Sequence, residues 1–172
     1  MFDSEAFISE TINSVINQTH LNWELLLIDD NSRDNTVAIV NELIKKTPNI
    51  KLLVNEVNLG AAISRNKGVM EAKGDYIIIQ DADLEYNPNE YGALLQPFID
   101  GVADVVYGSR FAGSEEKRVL FYWHSLGNKF LTTLSNMFTN LNLTDMETCY
   151  KLFNTKMIQG LNLCEKRFGF EP

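Results

Sequence analysis

Residues 74–84 read Gly-Asp-Tyr-Ile-Ile-Ile-Gln-Asp-Ala-Asp-Leu, an apolar run too short for a helix that stops at two acids one residue apart. Such a run, apolar on both faces, is the pattern of a strand covered by helices on each side of a sheet. Upstream, residues 23–28 (WELLLI) form a second run of the same kind, ending at Asp29-Asp30-Asn31-Ser32. Between and around them the apolar period changes to that of helices, predicted over 3–18 with Asp3 or Ser4 as cap, 34–46 ending before Pro48, and 60–73. Residues 51–54 add a strand, Pro88 opens a helix over 88–100, and 103–108 (ADVVYG) supplies a further strand. Helices and strands alternating at this pitch predict an α/β fold, a doubly wound and mostly parallel sheet with both acid-tipped strands near its middle.

The chain has 172 residues, 45% of them apolar, which suits one domain with a buried core. Its 15 basic and 23 acidic residues leave a net charge of −8, which argues against a duplex nucleic-acid binder, since that partner calls for a basic face. Two cysteines, Cys149 and Cys164, without a CxxC pair or a histidine cluster, suggest neither a disulfide scaffold nor a zinc site. The sequence shows no basic-plus-apolar leader and no run of about 18 apolar residues, so a location in the cytoplasm or at the inner face of a membrane is expected.

In open α/β sheets ligands bind beyond the carboxyl ends of the strands, and both acid pairs fall there. Asp29 and Asp30 follow one strand; Asp81 and Asp83, with Glu85, follow another. Carboxylates gathered in one crevice repel unless a cation joins them. Oxygen donors without His or Cys favour Mg²⁺ or Mn²⁺. An ion with few protein ligands keeps positions for phosphate oxygens and can neutralise the charge on a departing diphosphate, which points to a nucleotide-activated substrate. Neither GxGxxG nor GxxxxGK[ST] occurs, so dinucleotide and P-loop readings lack support.

Five segments in order resemble the GT-A-fold glycosyltransferases of family 2, in the branch of polyprenyl-phosphate sugar transferases. They are 28–36 (IDDNSRDNT), 58–68 (NLGAAISRNKG), 74–84 (GDYIIIQDADL), 108–111 (GSRF), and Thr144-Asp145 with 149–153 (CYKLF). The resemblance covers essentially the whole chain. It implies a single transferase domain over 1–172, with a nucleotide-sugar half at about 1–85 and an acceptor half at about 86–172. Asp29, Asp30, Gly60, Asn66, Asp81 and Ala82 would border the nucleotide sugar. Asp81, Asp83 and Glu85 would hold the metal, Asp83 most directly, and Arg110, His124, Asn128 and Lys151 would face the acceptor. Asp83 and Arg110 are the implied catalytic groups, and Asp145 is the fallback base.

The chain departs from that family in two places. The family's first strand, expected between the strands leading to Asp30 and Asp83, is represented only by the turn after it at 1–5. The end at Phe168-Gly-Phe-Glu-Pro172 falls where relatives continue. A piece of a longer protein is therefore expected. Segments 18–19 and 22–25 resemble transferases that build surface glycans, whereas 81–84 and the sequence after them resemble the polyprenyl-phosphate branch.

The reaction expected is inverting transfer of a sugar from a nucleotide-diphosphate donor to a polyprenyl phosphate. That acceptor is already anionic near neutral pH and needs no base. The alternatives are a glycan hydroxyl acceptor, for which Asp145 or Glu147 would serve as base, a nucleotidyltransferase, and a non-catalytic remnant. Residues 119–143 read first as a core helix. The competing reading is an interfacial helix in peripheral contact with a membrane, with Tyr122 and Trp123 at the boundary and His124 toward the acceptor phosphate.

Overall fold

The computed structural model describes residues 1–82, 84, 86–109 and 122–161. Expectations resting on Asp83, Glu85 and Arg110 therefore fall outside the described residues.

The predicted alternation is present: α1 (Ile8–Ile16), β1 (Leu25–Asp29), α2 (Thr36–Ile44), β2 (Ile50–Val54), α3 (Ala61–Glu71) and β3 (Tyr76–Ile78). A 3-10 turn at Pro88–Glu90 then leads into α4 (Tyr91–Ile99), β4 (Val105–Tyr107), α5 (Tyr122–Thr139), β5 (Lys151–Asn154) and α6 (Thr155–Gly160). Helix α1 starts later than its pattern predicts, and neither Asp3 nor Ser4 caps it through a side chain. Residues 3–5 instead dock on the start of α2: Asp3 accepts the N–H of Arg33 at 2.8 Å, Ser4 N–H donates to Thr36 Oγ1, and Glu5 accepts the N–H of Asn35.

The strands form two sheets among the described residues rather than one. β1 and β2 pair in parallel, Leu25 opposite Ile50 through Asp29 opposite Val54. β5 lies between β3 and β4 and runs antiparallel to both, with Ile77 and Val105 each opposite Phe153. The sheet is thus less parallel than its alternation suggests, because β5 arrives from the far end of the chain. The core divides along the same line. One cluster gathers Ile8, Ile12, Val40 and Ile50, the other Val69, Phe153 and Ile158.

The break falls between β1 and β3, where the resemblance expects a further strand. Among the described residues Met1 pairs on that edge of β1: its carbonyl accepts the N–H of Asp30 at 2.9 Å and its amino group donates to Ile28. For this reason the apolar β1 and β3 are only partly buried, Leu25–Ile28 being intermediate and Tyr76 exposed. Helix α3 spans the break. Gly68 packs against Ile28 of β1, with a Cβ there falling 3.3 Å from Ile28 Cγ1, while Val69 belongs to the second core. At the other end of the strands the Glu24 carboxylate accepts the N–H groups of Lys73 and Gly74, tying the start of β1 to the start of β3.

Candidate donor and acceptor sites

The tips of β1, β2 and β3 meet around the N-terminal half of α3. Asp30 is buried, at 4% exposure, yet its carboxylate is fully engaged. It accepts the N–H groups of Leu59 and Gly60, both at 2.8 Å, and a side-chain N–H of Asn55 at 2.9 Å. Gly60 has no side chain with which to cap α3, so Asp30 supplies the acceptor from a different strand and places a negative charge at the helix's positive end. Burial pulls the Asp30 pKa upward, but the hydrogen bonds from Leu59, Asn55, Gly60 and Ser64 outweigh it and hold the carboxyl below its ordinary value. Gly60 turns with φ 87° and ψ 161°, a region essentially reserved for glycine.

Asp29 turns away from the site. It is fully buried and accepts the Ser32 N–H at 3.0 Å and the Ser32 hydroxyl at 2.6 Å, closing the turn into α2.

Asp81 reaches the same place from β3. Its Oδ1 lies 3.1 Å from Arg65 Nη2, one helical turn beyond the start of α3. The path Asp30, Gly60, Arg65, Asp81 therefore crosses the break between the sheets through a single helix. Ala82 packs against the first core. Asn66 is half-buried on α3 beside Arg65. Arg65 lies within the 58–68 segment, but the sequence pattern assigns it no role. Its signal is the position one turn into a helix whose N-terminus borders an acid pair.

The residues expected toward the acceptor separate into two groups. Asn128 and Asp145 are buried and paired, with Asn128 Nδ2 donating to Asp145 Oδ1 at 2.9 Å. Thr132 donates to Asn128 Oδ1 and accepts the N–H of Met146, so this polar cluster fixes α5 to the loop before β5. Asp145 has 1% of its surface exposed. Lys151 is likewise buried, its ammonium 5.4 Å from the centre of the Tyr107 ring. His124 sits on the exposed side of α5.

Helix α5 is inverted in its amphipathicity. Its buried residues are Asn128 and Thr132, while Tyr122, Trp123, Leu126, Phe130, Met137 and Phe138 are exposed, Trp123 at 76% and Phe138 at 87%. Asn136 completes the inward polar side by bonding both backbone groups of Leu143. The expected core helix is thus corrected: its apolar side faces outward because its polar side is claimed by residues 143–146.

The oxygen-only donors at the strand tips suit a hard divalent ion in chemistry. Asp83 and Glu85 lie outside the described residues, so Asp81 is the expected ligand whose position is given; among the described residues no three His, Cys, Asp or Glu side chains come together. Asp81 is about one-third exposed, with its Oδ1 on Arg65. Burial, and then the charge of Asp81, push the Cys149 thiol well above its ordinary value. No helix among the described residues is long and apolar enough to cross a membrane.

Residues 1–161 match the family described as Glycosyl transferase family 2. Glycosyltransferase GlyG of Streptococcus pneumoniae is 31% identical over 130 residues, covering 76% of this chain and 43% of that protein. The Escherichia coli enzyme UDP-Glc:alpha-D-GlcNAc-diphosphoundecaprenol beta-1,3-glucosyltransferase WfgD is 37% identical over 108 residues, 63% of this chain and 42% of its own. Less than half of each of these relatives is thus matched. Among solved structures, S. aureus TarS 1–349 with UDP superposes over 92% of this chain and 46% of its own with a TM-score of 0.64 at 21% identity. Glucosyl-3-phosphoglycerate synthase from Mycobacterium tuberculosis, with Mn²⁺ and UDP-glucose, covers 94% of this chain and 56% of its own with a TM-score of 0.68 at 16% identity. These likenesses establish the GT-A fold.

Proposed function

The chain belongs to glycosyl transferase family 2, and from that premise we propose that it transfers a sugar, with inversion, from a nucleotide-diphosphate sugar to a polyprenyl phosphate held at a membrane surface. The donor would lie over the α3 N-terminus, between the Asp30-braced loop at 55–60 and the loop carrying Asp81. Asp81 with Asp83 and Glu85 would hold Mg²⁺ or Mn²⁺. When bound, that ion supplies positive charge to the diphosphate as it leaves. Arg65 orients Asp81, and Asp30 holds the loop amides of Leu59 and Gly60 in place. Arg110 would act toward an anionic acceptor through a two-pronged guanidinium, whereas Lys151, buried against the Tyr107 ring, would add positive potential there without touching the acceptor.

The observation that carries the acceptor reading is the outward apolar side of α5. The helix holds no Asp or Glu in a chain of net charge −8, and it carries Lys129 and two boundary aromatics, Tyr122 and Trp123. That composition suits the interface of a bilayer containing anionic lipid. The deciding experiment supplies radiolabelled UDP- and GDP-sugars with Mn²⁺ to the chain and vesicles containing undecaprenyl phosphate. The expected product is a lipid-linked sugar that mild acid releases. Transfer only to water-soluble glycans would contradict the reading.

A second reading follows from the similarity to WfgD, whose name describes transfer to a sugar already linked to diphosphoundecaprenol. A sugar hydroxyl needs a base. The enclosure of Asp145 beside Asn128 weighs against that role for it. Label formed only on lipid-linked GlcNAc and released by mild acid as a disaccharide, rather than as the single sugar, would favour this alternative.

A further inference from the structure

The loop carrying Asp81 is pinned at both ends to one short segment before β5. At the near end, the Gln80 carboxamide donates through Nε2 to the carbonyl of Asp81 at 2.9 Å. Its Oε1 accepts two hydroxyls, from Tyr150 at 2.7 Å and Tyr91 at 2.9 Å. At the far end, the Tyr86 hydroxyl accepts the N–H of Cys149 at 2.8 Å, and the Tyr86 ring packs on Tyr150 with centroids 4.3 Å apart. Tyr150 is almost completely buried, at 1% exposure. Both lone-pair directions of the Gln80 oxygen are used, and both tyrosines stay neutral donors because burial raises them, Tyr91 to about 12.

We propose that Gln80 and Tyr150 are positioning residues for the metal-side loop, fixing the backbone at Asp81 before donor or ion arrives. Resting on the donor reading above, this assigns the pair a role in preorganisation: a loop held in its competent shape loses less freedom when ligand binds, and apparent affinity falls with the fraction held. Carboxamide geometry explains the choice of glutamine at position 80, since one planar group must donate to the chain at Asp81 while accepting from two hydroxyls. Gly108 fits the same arrangement. A Cβ there would lie 2.9 Å from Tyr150 Cβ, so the chain can pass Tyr150 at this distance only as glycine.

Residue-resolved hydrogen exchange on the full chain without ligand tests this, with Tyr150→Phe removing one hydroxyl and Gln80→Met removing the carboxamide. Ile158→Val, a mild change in the second core, controls for a general loss of stability. The expected result is exchange faster by about tenfold at the amides of Asp81, Ala82 and Tyr86 in both loop variants, with those amides unchanged in Ile158→Val. Mn²⁺-dependent binding of UDP or GDP should weaken by about fivefold to tenfold in parallel. Parent-like exchange in both loop variants, or equal acceleration by Ile158→Val, would overturn the proposal. Exchange decides the positioning claim alone, whereas failure of the parent chain to bind UDP or GDP with Mn²⁺ contradicts the donor reading instead.

Discussion

Arg65 Nη2 stands 3.1 Å from Asp81 Oδ1, joining a helix that follows the first sheet to a loop that follows the second. The two sheets share no strand ladder among the described residues, so this contact does across the break what a continuous sheet would do through its backbone. It also places a guanidinium beside one of the acids expected to border the nucleotide sugar.

Replacing Arg65 with alanine should therefore separate function from stability. A partly exposed ion pair contributes about 0–1 kcal/mol, so thermal melting should move by only a few degrees, roughly. Nucleoside-diphosphate binding should weaken by about tenfold or more, the value of a charge-assisted hydrogen bond. Calorimetric titration and melting on the same samples check both parts.

Gly60→Ala should destabilise the chain by about 1–3 kcal/mol, because a Cβ at φ 87° is strained even though no atom stands within 4 Å of it. The cause is conformational rather than steric, so Gly60→Ser should cost about the same. Urea denaturation of both variants measures it.

Asp30 predicts a pH dependence. Its folded pKa lies below the ordinary value of 3.8, so its contribution to stability is complete above that pH and is lost as pH falls through the folded value. Stability should decline below about pH 4, and Asp30→Asn should show a shallower decline. The variant should also be less stable at neutral pH by about 1–3 kcal/mol, since an amide oxygen cannot replace both carboxylate oxygens for the N–H groups of Leu59 and Gly60. Denaturation curves from pH 7 downward report both effects.

Phe130→Asp on α5 should leave stability within about 0.5 kcal/mol, because Phe130 is exposed. It should reduce co-sedimentation with vesicles of phosphatidylcholine and phosphatidylglycerol. Unchanged vesicle binding would remove the interfacial role of α5.

Much of this arrangement is legible in the residues. The apolar runs ending at Asp30 and Asp81 are strands, and the placement of those acids around α3 follows from ordinary α/β geometry. Other features depend on partners distant in sequence. The insertion of β5 between β3 and β4 pairs residues such as Ile77 and Phe153, which no local pattern connects. The orientation of α5 misleads for a related reason: its aromatic and leucine content suggests a core helix, yet the inward side is decided by Asn128, Thr132 and Asn136 finding partners at 143–146. A buried polar group must be paired, and that requirement outweighs the apolar stripe in setting the helix's rotation. The enclosure of Asp145 and the turn of Asp29 toward Ser32 are also invisible in sequence, because an acid in a loop reads the same whether it faces a ligand or a backbone N–H.

The most direct test of the account titrates UDP and GDP, with Mn²⁺ and then with chelator, into the chain and into Asp81→Asn. At least one nucleotide should bind the parent chain only with Mn²⁺, and the substitution should abolish this binding while the fold is retained. Absence of binding under every condition, or equal binding by Asp81→Asn, would contradict a shared site at the two strand tips.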